Sequence, residues 1–279
     1  MNLLPNCLYI VSTPIGNLDD MTIRAIEVLK NSDIILCEDT RRSLKLLNYY
    51  NIKKKLVSYH KFNENKLINS IIEHINEGKI LALISDARTP ILSDPGNNLV
   101  KKCIQKKINI IPIPGVSSIT SAMSVSGFKD QFLFYGFLPK KQNELDKAFK
   151  LLSNYSFTQV FFVPAVKIDF YLTNLKKYFS GRKLLIAREI TKIHETFYRE
   201  DINDLKPFKS KIKGELTLIV SEKLSNDKVY NEEKIVNKAK KYLKKYSLKD
   251  TVNLIFEIEK TNKKKIYDTC LKIKNEKNF

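Results

Sequence analysis

Cysteine is scarce in this chain: Cys7, Cys37, Cys103 and Cys270 are the only four among 279 residues. They form no CxxC pair and no cluster with histidine, so neither a disulfide framework nor a zinc site is suggested, and a reducing cytoplasm fits best. The sequence lacks a basic segment leading into a long apolar stretch near its start, and no apolar run approaches bilayer-spanning length. The expectation is a soluble, cytoplasmic protein with no membrane partner. Glycine occurs eight times, always at positions that read as turns or element boundaries. GxGxxG and GxxxxGK[ST] are both missing, which argues against NAD enzymes and P-loop NTPases. No GxSxG elbow supports Ser-His-Asp chemistry. Internal repeats and low-complexity tracts are absent too.

Acidic residues are outnumbered. Forty-nine Lys and Arg against 30 Asp and Glu give a net charge of +19, which favours a polyanionic partner such as nucleic acid. Lys, Asn and Ile are abundant throughout, as AT-rich coding would produce, so composition alone explains the charge equally well. Segment 224–279 is the most basic part, with 15 Lys against 8 acidic residues.

Short apolar runs at 8–11, 34–37, 56–59, 80–84 and 109–113 are each followed by a polar turn and a helix-like stretch, the pattern of a mostly parallel α/β sheet. Leu67, Ile68, Ile71, Ile72 and Ile75 share one helical face. After about Val125 the texture shifts toward strands, at 131–136, 158–163, 183–187, 196–198 and 215–220, with a helix-like stretch at 167–178. This reads as a second α/β half ending near Lys223, followed by a polar linker. Two or three short helices follow from Glu232, one opening at Ser247-Leu248-Lys249-Asp250 in the manner of a capping box.

Polar strings punctuate the ends of these runs, the edge on which α/β proteins build sites. Thr13-Pro14-Ile15-Gly16-Asn17-Leu18 brings backbone close to a helix start, as a ligand loop or an ordinary βα turn. In Ser85-Asp86-Ala87-Arg88-Thr89-Pro90, Asp86 either accepts hydrogen bonds from a ligand or caps the next turn. Pro114-Gly115-Val116-Ser117-Ser118 offers an N-cap and free N–H groups, to a ligand or merely to its own helix. Glu38, Asp39 and Arg41, and then His60, Asn63 and Glu64, crowd polar groups after apolar strands. Such groups orient substrates and move protons, but they also occur as solvated surface pairs, and His60 is equally read as a hydrogen-bonded structural imidazole.

Taken in order, these strings resemble the ribosomal RNA small-subunit methyltransferase I family, a branch of the tetrapyrrole-methylase-like enzymes. The resemblance also uses Asp94-Pro95-Gly96, Gly136-Phe137-Leu138-Pro139, Ala187-Arg188-Glu189 and Lys213-Gly214-Glu215, and covers roughly residues 8–220. It implies methyl transfer from S-adenosylmethionine to the 2′-hydroxyl of a cytidine in the decoding region of 16S ribosomal RNA, on the small ribosomal subunit. The implied architecture is two α/β halves, 1–124 and 125–223, with the cofactor cleft between them, plus a basic helical module at 224–279, usually as a homodimer. The cofactor is then expected to touch Pro14, Gly16, Asp86, Thr89, Ser117, Ser118, Ile119 and Phe162. Glu38, Asp39 and His60 are the candidate bases. Arg41, Glu64, Arg88, Glu189, Lys213 and Glu215 are expected to face the RNA or brace the cleft.

The chain departs from the family pattern at two places. Arg88 stands where the family usually has glycine, and Phe161-Phe162-Val163-Pro164-Ala165-Val166-Lys167 replaces a string that carries an acidic residue, a histidine and an arginine. Two other readings share the fold: a methylase of a tetrapyrrole or other small molecule, and a non-catalytic ribosome-associated RNA-binding homologue.

Overall fold

A computed structural model describes residues 3–208, 212–223, 232–259, 261 and 263–277. The chain divides into two compact units, Met1–Glu222 and Lys223–Phe279. The polar linker expected after Lys223 lies outside the described residues.

The first half of the larger unit alternates strand and helix: β1 (Cys7–Val11), α1 (Ile23–Asn31), β2 (Ile34–Cys37), α2 (Thr40–Tyr49), β3 (Lys55–Ser58), α3 (Glu64–Asn76), β4 (Leu81–Leu83), α4 (Asn97–Gln105), β5 (Asn109–Ile113) and α5 (Ser118–Ser124). The strands are all parallel, in the order β3-β2-β4-β1-β5. A parallel sheet is covered on both faces, which explains the nearly unbroken apolar runs. Cys7, Tyr9 and Val11 pack with Ala25, Val28, Leu29 and Leu47, while Leu8 and Ile10 turn the other way toward Ile71, Ile72, Ile75 and Leu99. Of the predicted α3 face, Ile68, Ile71, Ile72 and Ile75 are buried and Leu67 is half-buried. The chain leaves β2 toward β3 and the adjacent β4 toward β5, so the loops after these two strands diverge, and such a switch point opens a crevice.

The second half comprises β6 (Phe132–Phe137), α6 (Gln142–Leu152), β7 (Thr158–Pro164), α7 (Ile168–Tyr178), β8 (Lys183–Arg188), β9 (Thr196–Asp201) and β10 (Glu215–Val220). Its sheet, β6-β7-β10-β8-β9, is mixed: β6 runs parallel to β7 and the other pairs are antiparallel. Helices α6 and α7 cover one face through Leu145, Phe149, Tyr171 and Leu175. On the opposite face Val160, Phe162, Leu185, Ala187 and Ile219 meet Ile15, Ile119 and Ala122 of the first half. This apolar seam joins the two sheets, and polar loops from both halves border it.

The smaller unit holds α8 (Glu232–Tyr242), α9 (Leu248–Glu259) and α10 (Lys263–Lys277) around a core of Ile235, Ala239, Val252, Ile255, Ile266, Cys270 and Ile273. At the start of α9 the Ser247 hydroxyl accepts from the Asp250 N–H at 3.2 Å. Among the described residues, no helix is long and apolar enough to cross a membrane.

Candidate active site

The end of β1 and the loop after β4 are tied by a single rung of antiparallel pairing. Thr13 N–H donates to the Arg88 carbonyl at 3.1 Å, and Arg88 N–H donates to the Thr13 carbonyl at 3.0 Å. The Ser85 hydroxyl adds a third bond to the same Arg88 carbonyl at 3.1 Å. Arg88 is thereby held at φ 73°, in the left-handed region. A non-glycine residue carries a cost of about 1 kcal/mol or more there, which glycine would not.

From this rung the Arg88 side chain enters the seam. Its guanidinium lies over the Phe162 ring at 5.0 Å and near the Phe137 ring at 5.8 Å. Asp94 Oδ2 is buried and 3.6 Å from Arg88 Nε, an ion pair too long for a hydrogen bond, and it has no hydrogen-bond partner among the described residues. Burial pushes the Asp94 carboxyl up to about 6; Arg88 opposes the shift, while Glu38 and Asp86 add to it.

Because the acid is raised in the folded protein, its ionisation opposes folding. The resulting cost is absent below its unfolded value near 4, grows as pH rises through the interval to about 6, and is constant above it. Asp94→Asn is therefore expected to match wild type in stability at pH 4 and to exceed it by about 2–3 kcal/mol at pH 7.5. Urea unfolding at the two pH values measures this, and a gap independent of pH would refute it.

A cavity of about 270 Å³ opens beside Arg88, lined from the first half by Ile15, Ala87, Arg88 and Ser118, and from the second by residues including Phe162, Glu189, Lys192 and Glu215. Its second-half rim is organised by Glu189, at φ 52°. This carboxylate accepts from the Glu215 N–H at 2.9 Å and from Lys192 Nζ at 3.0 Å. Burial raises the Glu189 carboxyl, but these donors outweigh burial and hold it below its ordinary value. Lys192 also reaches Glu215 at 3.5 Å. A narrow extension runs between Arg88, Thr89, Ser117, Ser118, Ile119 and Phe162. A second hollow of about 270 Å³, bordered by Pro14, Gly16, Arg42, Lys45 and Asp86, shares Ile15 and Ala87 with the first.

The structure thus brings together many residues that sequence reading had placed in separate strings. Arg88, Ser118, Phe162, Glu189 and Glu215 line one cavity; Thr89, Ser117 and Ile119 line its extension; Pro14, Gly16 and Asp86 border the adjoining hollow. Asp86 accepts from the Asp39 N–H at 3.1 Å and pairs with Arg42 at 3.3 Å, so it braces the start of α2 instead of capping its own turn.

Glu38, Asp39, Arg41, His60, Glu64 and Lys213 line none of these hollows. Asp39 caps α2 by accepting from the Arg41 N–H, and the Arg41 guanidinium holds its carboxyl down to about 2. At neutral pH that makes it a weak proton acceptor. His60 Nδ1 accepts from the Phe62 N–H at 3.3 Å, which places the proton of a neutral ring on Nε2. Glu64 accepts from Asn98 at 2.9 Å at the start of α3. Arg188 Nε donates to the Lys213 carbonyl, and the Lys213 side chain is exposed. Asp94 was missed as a site residue. Its Asp-Pro-Gly string signals a turn, and nothing local in sequence tells that the carboxylate is buried.

Comparison with known proteins agrees with this fold. The family model for tetrapyrrole (corrin/porphyrin) methylases matches residues 7–206. The ribosomal RNA small subunit methyltransferase I of Thermotoga maritima is 43% identical over 219 residues, covering 77% of this chain and 98% of that protein. Its namesake in Rickettsia prowazekii is 41% identical over 279 residues, covering 98% and 99% respectively. Among solved structures, uroporphyrin-III C-methyltransferase of Thermus thermophilus complexed with S-adenosylhomocysteine superposes with a TM-score of 0.55 at 13% identity, covering 77% of this chain and 97% of that one. A diphthine synthase gives 0.59 at 13% identity, covering 78% and 91%. With its sheets, seam and polar loops so arranged, and with relatives this similar over nearly its whole length, the chain belongs to the ribosomal RNA small subunit methyltransferase I family of tetrapyrrole methylases.

Proposed function

We propose that this protein methylates ribosomal RNA of the small subunit with S-adenosylmethionine, at the 2′-hydroxyl of a cytidine in the decoding region of 16S RNA, and that it acts as a homodimer. The observation that carries this reading is the cleft itself, an apolar-walled cavity at the C-terminal edge of the parallel sheet, bordered by the loops after β1, β4 and β5, in a chain 41% identical to a small-subunit RNA methyltransferase over 98% of its length. The donor set suits the cofactor. Ile15, Phe162 and Ile190 offer apolar surface for the nucleoside, while Arg88, Ser118 and Glu189 offer groups for its charged amino-acid end.

S-adenosylmethionine brings a methyl group already activated by its sulfonium, so the protein has to position the acceptor oxygen, exclude water and take up one proton. The apolar seam performs the exclusion. Of the three candidate bases, Asp39 is tied to Arg41 and His60 Nδ1 is engaged by backbone. Glu38, half-buried at the end of β2 and with no hydrogen bond or ion pair to its carboxylate among the described residues, is the group we assign as proton acceptor. Arg42 and Lys45, beside the adjoining hollow, are suited to RNA phosphates. The helices of the smaller unit supply further lysines.

Mapping 2′-O-methylation on 16S RNA from cells with and without the gene tests the reading, alongside calorimetry with S-adenosylhomocysteine. Loss of methylation at one cytidine is the expected result. An unchanged map with ligand binding retained would point to a small-molecule methylase, and no ligand binding at all to a non-catalytic RNA-binding protein.

A further inference from the structure

Two cations line the main cavity, and of these only Lys192 donates side-chain hydrogen bonds among the described residues. Lys192 is held by Glu189 and Glu215. The Arg88 guanidinium, with its side chain only 22% exposed, is in a long ion pair with Asp94 through Nε at 3.6 Å and donates no hydrogen bond among the described residues. A guanidinium carries five N–H donors in a fixed fork, and leaving them desolvated without acceptors is costly. Phe162 and Phe137 lie against the guanidinium but satisfy none of its N–H groups, so the N–H edge stays available to an acceptor within the cavity. The backbone rung with Thr13 keeps the side chain aimed there, at a φ that an arginine adopts only against strain.

We propose that Arg88 is the anion-recognising residue of the cleft: it pairs with the carboxylate at the amino-acid end of the cofactor and makes the cleft selective for thionucleosides that carry that tail. The proposal rests on the reading that S-adenosylmethionine occupies this cleft. A carboxylate fits better than an RNA phosphate because the guanidinium lies against buried Phe162 within the seam, bordering about 270 Å³ of space that admits a small ligand and not a polynucleotide backbone. Planar bidentate pairing of a guanidinium with a carboxylate is among the stronger charge-assisted contacts.

Calorimetry on the full chain with two probes tests the proposal: S-adenosylhomocysteine, which has the amino-acid tail, and 5′-methylthioadenosine, which lacks it. Arg88→Gly suits the positive φ and is expected to fold, with an unchanged or raised Tm as the check. The expected result is a loss of about tenfold or more in affinity for S-adenosylhomocysteine, with 5′-methylthioadenosine unchanged within about twofold. Equal losses for both probes would overturn the proposal, as would tighter binding of S-adenosylhomocysteine, which would mark Arg88 as an obstruction. Weaker binding of a 16S RNA fragment with both thionucleosides unaffected would make Arg88 a phosphate contact and likewise overturn it. If wild type binds neither probe, the cofactor reading itself falls, an outcome distinct from a change in the ratio between probes.

Discussion

Raising monovalent salt from about 50 to about 200 mM is expected to weaken binding of this protein to a 16S RNA fragment containing the decoding region by roughly 300- to 2,000-fold, the loss that accompanies neutralising about six phosphates. The +19 charge supplies the cations, and Arg42 and Lys45 beside the second hollow show how some of them are presented. Counterion release acts on the polyanion alone. Affinity for S-adenosylhomocysteine, a small zwitterion in an apolar cleft, is expected to move by no more than a few-fold over the same range. Fluorescence anisotropy with labelled RNA measures the slope. A flat response would mean that the lysines reflect coding composition and do not contact phosphate.

The second large effect is expected at Gly214. This residue has φ +105°, and a Cβ placed on it would overlap the Glu189 carboxyl, coming within 2.7 Å of its Cγ. Gly214→Ala therefore combines backbone strain of about 1 kcal/mol with displacement of a carboxylate that holds both Lys192 and the Glu215 N–H. Losing one of these charge-assisted hydrogen bonds costs about 1.5–3 kcal/mol, so with the strain a total loss of about 2.5–4 kcal/mol is expected. Gly181 provides the control. It has φ +78°, but nothing lies within 4 Å of a Cβ built there, so Gly181→Ala is expected to cost only about 1 kcal/mol. Urea unfolding compares the two. Equal losses would show that the close approach of Gly214 to Glu189 contributes nothing beyond strain.

The strand positions of both halves were legible in the sequence because buried strands announce themselves as apolar runs. The apolar signal of strand β9 stops at 196–198, because it is an edge strand that continues through the exposed Arg199 and Glu200 to a half-buried Asp201. Helix α6 went unread although Leu145, Ala148, Phe149 and Leu152 carry helical spacing, since lysines and polar residues fill its exposed face. The mixed direction of the second sheet leaves no local trace, because pairing partners such as Leu216 and Val163 are distant in sequence. At the site, the strings were legible and their partnerships were not. Asp86 against Asp39 and Glu189 against Gly214 are contacts between separate turns of one sheet, and Arg88 against Phe162 is made across the seam, so none is local in sequence.

The rung between Thr13 and Arg88 bears on how this cleft changes over evolutionary time. Two reciprocal main-chain hydrogen bonds fix the route of both loops without help from the side chain at 88. Whatever residue stands there emerges at the same place, facing the same hollow. Position 88 therefore acts as a socket. A side chain can be fitted or withdrawn, and the cleft's charge reversed or erased, while the amides at 13 and 88 keep their protection from solvent exchange and the rest of the fold is undisturbed.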